Sequence, residues 1–345
     1  MDMRPLHFAI IGVGNIAPMH ATAIQNTPDA ELVAVATRDA ERGGAFVARF
    51  GGTWYPDYRT LLARADIDAV AICTPPDLHL PMTLDAASAG KHVLCEKPMA
   101  RNVAECDAMI DACARAGVRL GVIFQSRFEP LTRRVKALID DGALGNLLWT
   151  SANTLWYRSD EYYRSGAWRG KLEHEGGGVL INQAIHAIDA MIWVSGMPTR
   201  VTAQTRTLNH AIEIEDGALA MLDYADGRIG LIQATTAAYP GFPERLEFYG
   251  TRGSAVYHKG LGKLEWHLRE PREDHEESAA ISSGAAKPMD IGASGHIAQY
   301  QDFAAAISEP RAPLVDGHEG RRSIVLIEAI YRSARENRAV ELDAD

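Results

Sequence analysis

Cysteine is scarce and unpatterned. The chain of 345 residues has four, Cys73, Cys95, Cys106 and Cys113, with no C-x-x-C spacing and no histidine-rich company. That excludes a disulfide framework and a thiolate metal centre, so reduced, mostly buried thiols and no metal are expected. A basic excess is also lacking. Thirty-five Lys and Arg against 45 Asp and Glu leave a formal net charge of -10, which argues against gripping a nucleic-acid backbone. No apolar run reaches the length of a membrane span. The opening MDMRPLHFAIIGVG has no charged segment followed by a long apolar one and a small-residue cleavage site, so no signal peptide is expected. These absences together describe a cytoplasmic protein that works on neither nucleic acid nor membrane. No internal repeat is visible.

What is present is ordinary soluble composition, 47% hydrophobic and 23% charged, on a chain too long for one core. Two domains are expected, 1–125 and 126–345. The first alternates strand-like runs at 7–12, 31–37, 68–73, 91–95 and 119–124 with amphipathic helical patterns at 16–26, 41–51, 79–90 and 103–117. Near-continuous Val, Ile and Ala strands between helices predict an α/β fold, a doubly wound parallel sheet covered on both faces. After about residue 145 the rhythm changes. NLLWTSANTLWYR (146–158) reads as a long strand and Val179 to Val194 as a helix. Strand-turn-strand units follow, with ADGR and GTRGS carrying hairpin chemistry. This predicts an α+β domain with a large, mainly antiparallel, open-faced sheet. The polar stretch 270–293 reads as a surface loop, and a last helical region from Ser294 to Asn337 can pack back on the first domain.

IIGVGNIA (10–17) ends the first strand and opens a helix, giving Gly12-x-Gly14-x-x-Ala17. Gly12 allows the tight turn, Gly14 lets a pyrophosphate approach the backbone, and Ala17 keeps helix and strand close. With Asn15 and Ile16 this loop is the candidate dinucleotide site, its phosphates at a helix N-terminus. The second strand ends in VATRDAERG. An NAD site places an Asp or Glu at that end for the ribose 2′-OH; here Thr37 and Arg38 stand there, and a guanidinium suits a 2′-phosphate. NADP(H) is therefore favoured over NAD(H). Asp39 is either the cap of the next helix or, if the strand ends later, an NAD ligand.

Two further stretches stand out. CEKPMA (95–100) places Glu96, Lys97 and Pro98 directly after an apolar strand, as a solvated loop or as a site at the strand's carboxyl end. EHEGGGVLINQAIHAIDAMIW (173–193) sets Asn182, His186 and Asp189 at i, i+4 and i+7, which predicts one shared helix face. A lone histidine there would be a core residue held by a carboxylate; three converging polar groups point to catalysis.

GVGNIA, TPPDLH (74–79), GKHVLCEKPMA (90–100), GVIFQSRFEP (121–130), GGGVLINQAIHAIDAM and HIAQYQDFAAAI (296–307) together resemble the Gfo/Idh/MocA family, the glucose-fructose oxidoreductase and inositol dehydrogenase relatives, over essentially the whole chain. WYRSDEYYRSGAWRG (156–170) resembles the branch of UDP-sugar and other sugar 3-dehydrogenases. The resemblance implies that Lys97 stands beside a nicotinamide, where a cation stabilises an oxygen gaining negative charge, and that Glu96 belongs to the same cofactor edge. It implies a cis Lys97–Pro98 bond and His186 as general base. Asn182 stands where the family often has Asp; an amide orients a hydroxyl but carries no proton. Asp189 would orient His186 or bind a substrate hydroxyl. By the same resemblance Thr74, Pro75 and His79 line the cofactor edge, and Trp168 with Arg169 closes on the cofactor. Gln125, Arg127 and Tyr157 face the substrate, or serve as packing and surface.

The expected function is an NAD(P)-dependent oxidoreductase acting on a secondary hydroxyl of a sugar, cyclitol or sugar nucleotide, with C3 of a hexose foremost. A small carbohydrate is the partner. Apolar residues on alternate strands predict a homodimer or homotetramer. The alternatives are a glycoside-processing enzyme that recycles bound NAD(H) through oxidation, elimination and reduction, and a cofactor-binding regulator without turnover.

Overall fold

The structure, a computed structural model, describes residues 4–270, 277–278 and 292–342. Most of the loop expected at 270–293 lies outside the described residues. The chain divides into two compact units, Met1–Gln125 with Ala293–Arg321, and Ser126–Gly292 with Arg322–Asp345.

In the first unit, strands β1 (Leu6–Ile11), β2 (Ala30–Ala36), β3 (Thr53–Tyr55), β4 (Ala69–Ile72), β5 (His92–Cys95) and β6 (Leu120–Val122) form one sheet in the order β3-β2-β1-β4-β5-β6. Every pairing is parallel. Five of these strands match the apolar runs; β3 is an additional short edge strand. β4 is buried at every position, as a strand covered on both faces must be. The crossover helices begin where the sequence offers caps. Asp39 accepts the N–H of Arg42 to start Ala40–Phe50, and Asn102 accepts that of Glu105 to start Val103–Ala116, each satisfying an orphan donor. Helix Ser294–Ser308 returns to this unit and lays Tyr300 and Phe303 on Phe8, with ring centroids 5.5 and 6.5 Å away. From the same helix, Gln299 clamps the end of β6: its Oε1 accepts the N–H of Phe124 at 3.1 Å and its Nε2 donates to the Val122 carbonyl at 2.6 Å.

The second unit is built on a nine-stranded sheet. Its strands are β7 (Leu147–Leu155), β8 (Arg200–Arg206), β9 (Gly217–Asp223), β10 (Ile229–Thr235), β11 (Arg245–Gly250), β12 (Gly253–His258), β13 (Lys263–Leu268), β14 (Glu277–Ser278) and β15 (Val340–Glu341). The order is β14-β13-β12-β11-β7-β10-β9-β8-β15. β7 and β10 pair in parallel at the centre; the other pairings are antiparallel. β9 alternates in the manner of a half-buried strand: Ala218, Ala220 and Leu222 turn into the core, while Leu219 and Met221 are 52% and 63% exposed. Cross-strand pairing sets Met221 opposite Leu231, and Ile229 is exposed on β10, so the open face carries an apolar stripe.

The core helix of this unit is not uniform. It begins with a π-helical turn, Leu180–Ala184, and continues as the α-helix Ile185–Ser195. The helical run Leu172–Ser195 is long and apolar enough to cross a membrane by length and composition, and 83% of its apolar window is already buried inside the protein.

Candidate active site

Strand order reverses between β1 and β4, and a ligand crevice is expected outside their carboxyl ends. Gly12 follows β1 with φ +97°. A Cβ there would stand 2.8 Å from both the Cys73 carbonyl and Thr74 Cγ2, so dihedral and space both require glycine. At Gly14 a Cβ would meet nothing closer than the Cys73 carbonyl at 4.0 Å; the protein's own packing does not demand glycine there, and the open space suits a close-lying phosphate. Gly14 and Asn15 are exposed, Ile16 is half-buried and Ala17 is buried. The helix Ala17–Gln25 has no side-chain cap at its N-terminus, leaving its dipole end for an anion. These residues fit a dinucleotide.

At the end of β2, Thr37 is half-buried and Arg38 exposed. Asp39 is engaged as a helix cap: Oδ1 accepts the Arg42 N–H at 3.0 Å and Oδ2 lies 3.3 Å from the Arg42 guanidinium. Of its two expected uses, the structure gives it the capping one.

After β4, Thr74 and Pro75 are half-buried. His79, expected along the cofactor edge, is instead fully buried. Its Nδ1 and Nε2 lie 2.9 Å from the carbonyls of Pro98 and Thr74 respectively. Burial lowers its pKa, and a neutral ring donates to only one carbonyl at a time. Its work is to staple the loop after β4 to the loop after β5. In that second loop the Lys97–Pro98 bond is cis and Lys97 is half-buried.

Glu96, also expected at the cofactor edge, turns inward. Its Oε1 lies 2.8 Å from His20 Nε2 and its Oε2 accepts the N–H of Lys97 at 3.0 Å. Burial opposes its ionisation, but the His20 hydrogen bond and nearby positive charge outweigh that and bring its pKa down to about 2. His20 Nδ1 lies 2.7 Å from the Tyr300 hydroxyl. The ring of His296 stands edge-on to His20 at 5.8 Å, its pKa lowered to about 4 by burial and by repulsion from His20. Sequence reading missed His20, His296 and Tyr300. The last two stand four apart on one helix, a spacing that places them on one face; nothing in the sequence connects them to His20.

In the second unit two of the three glycines before the core helix have a packing cause, and the third, Gly176, takes a positive φ of 77°. A Cβ on Gly178 would come within 1.8 Å of the Glu215 carbonyl, and one on Gly177 within 2.1 Å of the Tyr331 hydroxyl. The Glu215 carboxylate accepts the N–H groups of Gly178 and Leu180 at 2.7 and 3.0 Å and the Tyr331 hydroxyl at 2.9 Å; burial raises its pKa. Glu215 therefore receives the start of the helix, and no local pattern announces it.

On that helix Asn182 and His186 are half-buried, whereas Asp189 is fully buried. Asp189 binds Arg127 through both oxygens, at 2.7 and 2.9 Å, and Ser323 Oγ donates to Oδ1 at 3.2 Å. Arg127 is itself fully buried. An ion pair without solvent access needs both partners to survive, and the structure pairs Asp189 with Arg127 in this way. Gln125, at the end of the first unit, is buried with Oε1 lacking a hydrogen-bond partner.

The segment 156–170 folds around the short helix Asp160–Arg164. The Arg169 guanidinium lies over the rings of Tyr162 and Trp168 at 4.2 and 4.4 Å and donates to the Tyr162 hydroxyl at 2.6 Å. Tyr157 packs edge-on against Tyr239, with centroids 5.2 Å apart. Against the Tyr163 ring, with centroids 4.8 Å apart, stands a pair the sequence did not reveal: His210 Nδ1 lies 2.9 Å from Asp216 Oδ2, and Nε2 lies 2.8 Å from the Arg158 carbonyl.

Parallel sheet order, glycine turn and uncapped helix N-terminus define a dinucleotide-binding fold. The model described as "Oxidoreductase family, NAD-binding Rossmann fold" matches residues 6–124, and the GFO/IDH/MocA C-terminal domain matches 132–256. The chain is 30% identical to D-apiose dehydrogenase of Paraburkholderia graminis, over 97% of this chain and 89% of that protein. It is 28% identical to inositol 2-dehydrogenase of Rhizobium meliloti, over 98% and 99%. Among solved structures it is similar to the WlbA dehydrogenase of Bordetella pertussis in complex with NADH and UDP-GlcNAcA, at 32% identity and a TM-score of 0.86, covering 99% and 100%. The chain belongs to the Gfo/Idh/MocA family, NAD(P)-dependent dehydrogenases acting on CH–OH groups of sugars, cyclitols and sugar nucleotides.

Proposed function

We propose that the protein transfers a hydride between nicotinamide and a secondary hydroxyl of a sugar or sugar nucleotide, with C3 of a hexose as the reacting carbon. The observation that carries this is the loop after β5, where Lys97 stands half-buried directly after a buried strand with its N–H anchored by the buried Glu96 carboxylate. When bound, the nicotinamide exchanges the hydride. Lys97 supplies a positive charge at the substrate oxygen, whose negative charge grows toward the transition state. His186 takes the hydroxyl proton, as imidazole can near neutral pH. Asn182 orients a hydroxyl. The faces and edges of Tyr157 and Trp168 suit the C–H faces and hydroxyls of a pyranose.

NADP(H) is the proposed cofactor, because the Asp39 carboxylate is occupied by Arg42 while Arg38 is exposed beside it. The open face of the second sheet, with Leu219, Met221 and Ile229 exposed, supports a homodimer or homotetramer closed through that surface. The test is a cofactor-reduction assay on methyl β-D-glucopyranoside, myo-inositol and UDP-glucose beside ethanol and lactate, each with NAD and NADP. Turnover of the carbohydrates is expected; turnover confined to ethanol or lactate would sink the assignment.

A further inference from the structure

A carboxylate taken out of water costs several kcal/mol unless it is well paired. Glu96 sits at a strand end where it could have pointed to solvent, yet it is 7% exposed. Its two oxygens do different work. Oε1 is held by His20 at 2.8 Å, and Oε2 holds the N–H of the next residue, Lys97, at 3.0 Å. His20 has no solvent exposure and is seated in turn by the Tyr300 hydroxyl at 2.7 Å. One continuous chain of hydrogen bonds thus runs from helix Ser294–Ser308 through helix Ala17–Gln25 to the loop after β5.

We propose that His20 and Tyr300 are positioning residues for the reaction: through Glu96 they hold the Lys97 peptide in the orientation that aims its ammonium. This rests on the reading of Lys97 as the cation at the substrate oxygen. The Glu96 carboxylate fixes the backbone from which the Lys97 side chain extends. With His20 removed, Glu96 keeps a buried charge with one fewer partner, turns or takes up a proton, and releases the Lys97 N–H. A reacting geometry displaced by about 1 Å costs on the order of a hundredfold in rate. The neighbouring His296 does not substitute, since no hydrogen bond joins it to Glu96 among the described residues and its Nδ1 is buried without a partner.

The test compares His20→Leu, His20→Gln, Tyr300→Phe and Lys97→Met, using the three carbohydrate probes above and direct titration of NADPH. His20→Leu is expected to lower kcat roughly tenfold to a hundredfold, with NADPH affinity and sugar KM within about threefold. His20→Gln, whose amide N–H can replace Nε2 toward Glu96, should recover most of the loss. Tyr300→Phe should lower kcat about threefold to tenfold at unchanged NADPH affinity, which keeps the idea testable if His20→Leu does not fold. Wild-type kcat in folded His20→Leu or in Tyr300→Phe overturns the proposal. So does a parallel loss of kcat and NADPH affinity that His20→Gln fails to rescue, the mark of simple structural damage. His20, Glu96 and His296 place their donor atoms within 4.8 Å of one another; stoichiometric zinc in the purified protein, lost in His296→Ala, would also overturn it. Lys97→Met separates the two readings. Near-normal turnover there removes the Lys97 assignment whatever His20 does, while a dead Lys97→Met beside an unaffected His20→Leu removes only the positioning.

Discussion

Arg127 and Asp189, 62 residues apart, meet as a two-pronged ion pair at 2.7 and 2.9 Å with neither side chain exposed to solvent. Such a pair is worth little against an apolar replacement but costly to break on one side, about 3–5 kcal/mol, because the survivor is an uncompensated buried charge. Arg127→Met and Asp189→Asn should each lower stability by about that much, and Arg127→Met with Asp189→Leu together by clearly less than the sum. Urea denaturation of the three variants measures this. A single variant within about 1 kcal/mol of wild type would show that the pair is not what holds this region.

Turnover should depend on Lys97 and His186. Lys97→Met and His186→Ala are each expected to lower kcat by about two decades or more, the scale of a lost acid–base or charge-stabilising group. NADPH affinity should change far less. Near-normal kcat in either variant removes that residue from the mechanism.

Cofactor choice should rest on Arg38. Arg38→Ala is expected to weaken NADP(H) roughly tenfold to a hundredfold, the range for a hydrogen bond to a charged group. NAD(H) affinity should stay nearly constant. Equal or tighter NAD(H) binding by the unmodified protein would refute the preference.

The exposed stripe on β9 and β10 should disappear into an interface. Leu219→Glu with Met221→Glu places charge at two positions that are half or more exposed in the single chain. These changes should leave the fold intact and shift light scattering from an oligomer to a monomer mass. A monomer mass for the unmodified protein at micromolar concentration excludes the oligomer.

Stability should fall in two stages on acidification. His296 has its pKa lowered by burial to about 4, against about 6.5 in an unfolded chain. Between those values the unfolded chain binds a proton that the folded one refuses, so stability drops as pH falls through that window. Glu96 acts lower down. Its folded pKa near 2 lies below the unfolded value of about 4.3, so its contribution is present above the unfolded pKa and is lost as pH falls toward 2. His296→Gln should abolish much of the loss between about pH 7 and pH 5 and leave the deeper acid limb in place. Identical urea midpoint shifts in both proteins over the upper window would contradict the His296 assignment.

The doubly wound sheet and the Gly12 turn were legible because their causes are local: apolar runs buried on both faces, and a residue that must take a positive φ. The hairpins of the second unit were legible for the same reason. The π-turn at Leu180–Ala184 was not, since apolar periodicity does not register one extra residue in a turn that is buried at all but one position. Three-dimensional partnerships of long reach stayed invisible. His20 and Tyr300 are 280 positions apart and Gly178 and Glu215 are 37, and neither pairing leaves a mark on the residues between. Asp39 illustrates the middle case, where the sequence offered two uses and only the geometry around Arg42 chose one.

Helix Ser294–Ser308 belongs to the first unit, so that unit's inner layer is made of the beginning and nearly the end of the chain. During synthesis Phe8 leaves the ribosome long before Tyr300 and Phe303, the rings that cover it. At about 5–20 residues per second the interval is roughly 15 to 60 s. Through that time the nascent sheet has an uncovered apolar flank, a surface for chaperones to bind, and the intervening unit can finish its own folding first. A stop codon anywhere before Ser294 would make that temporary exposure permanent.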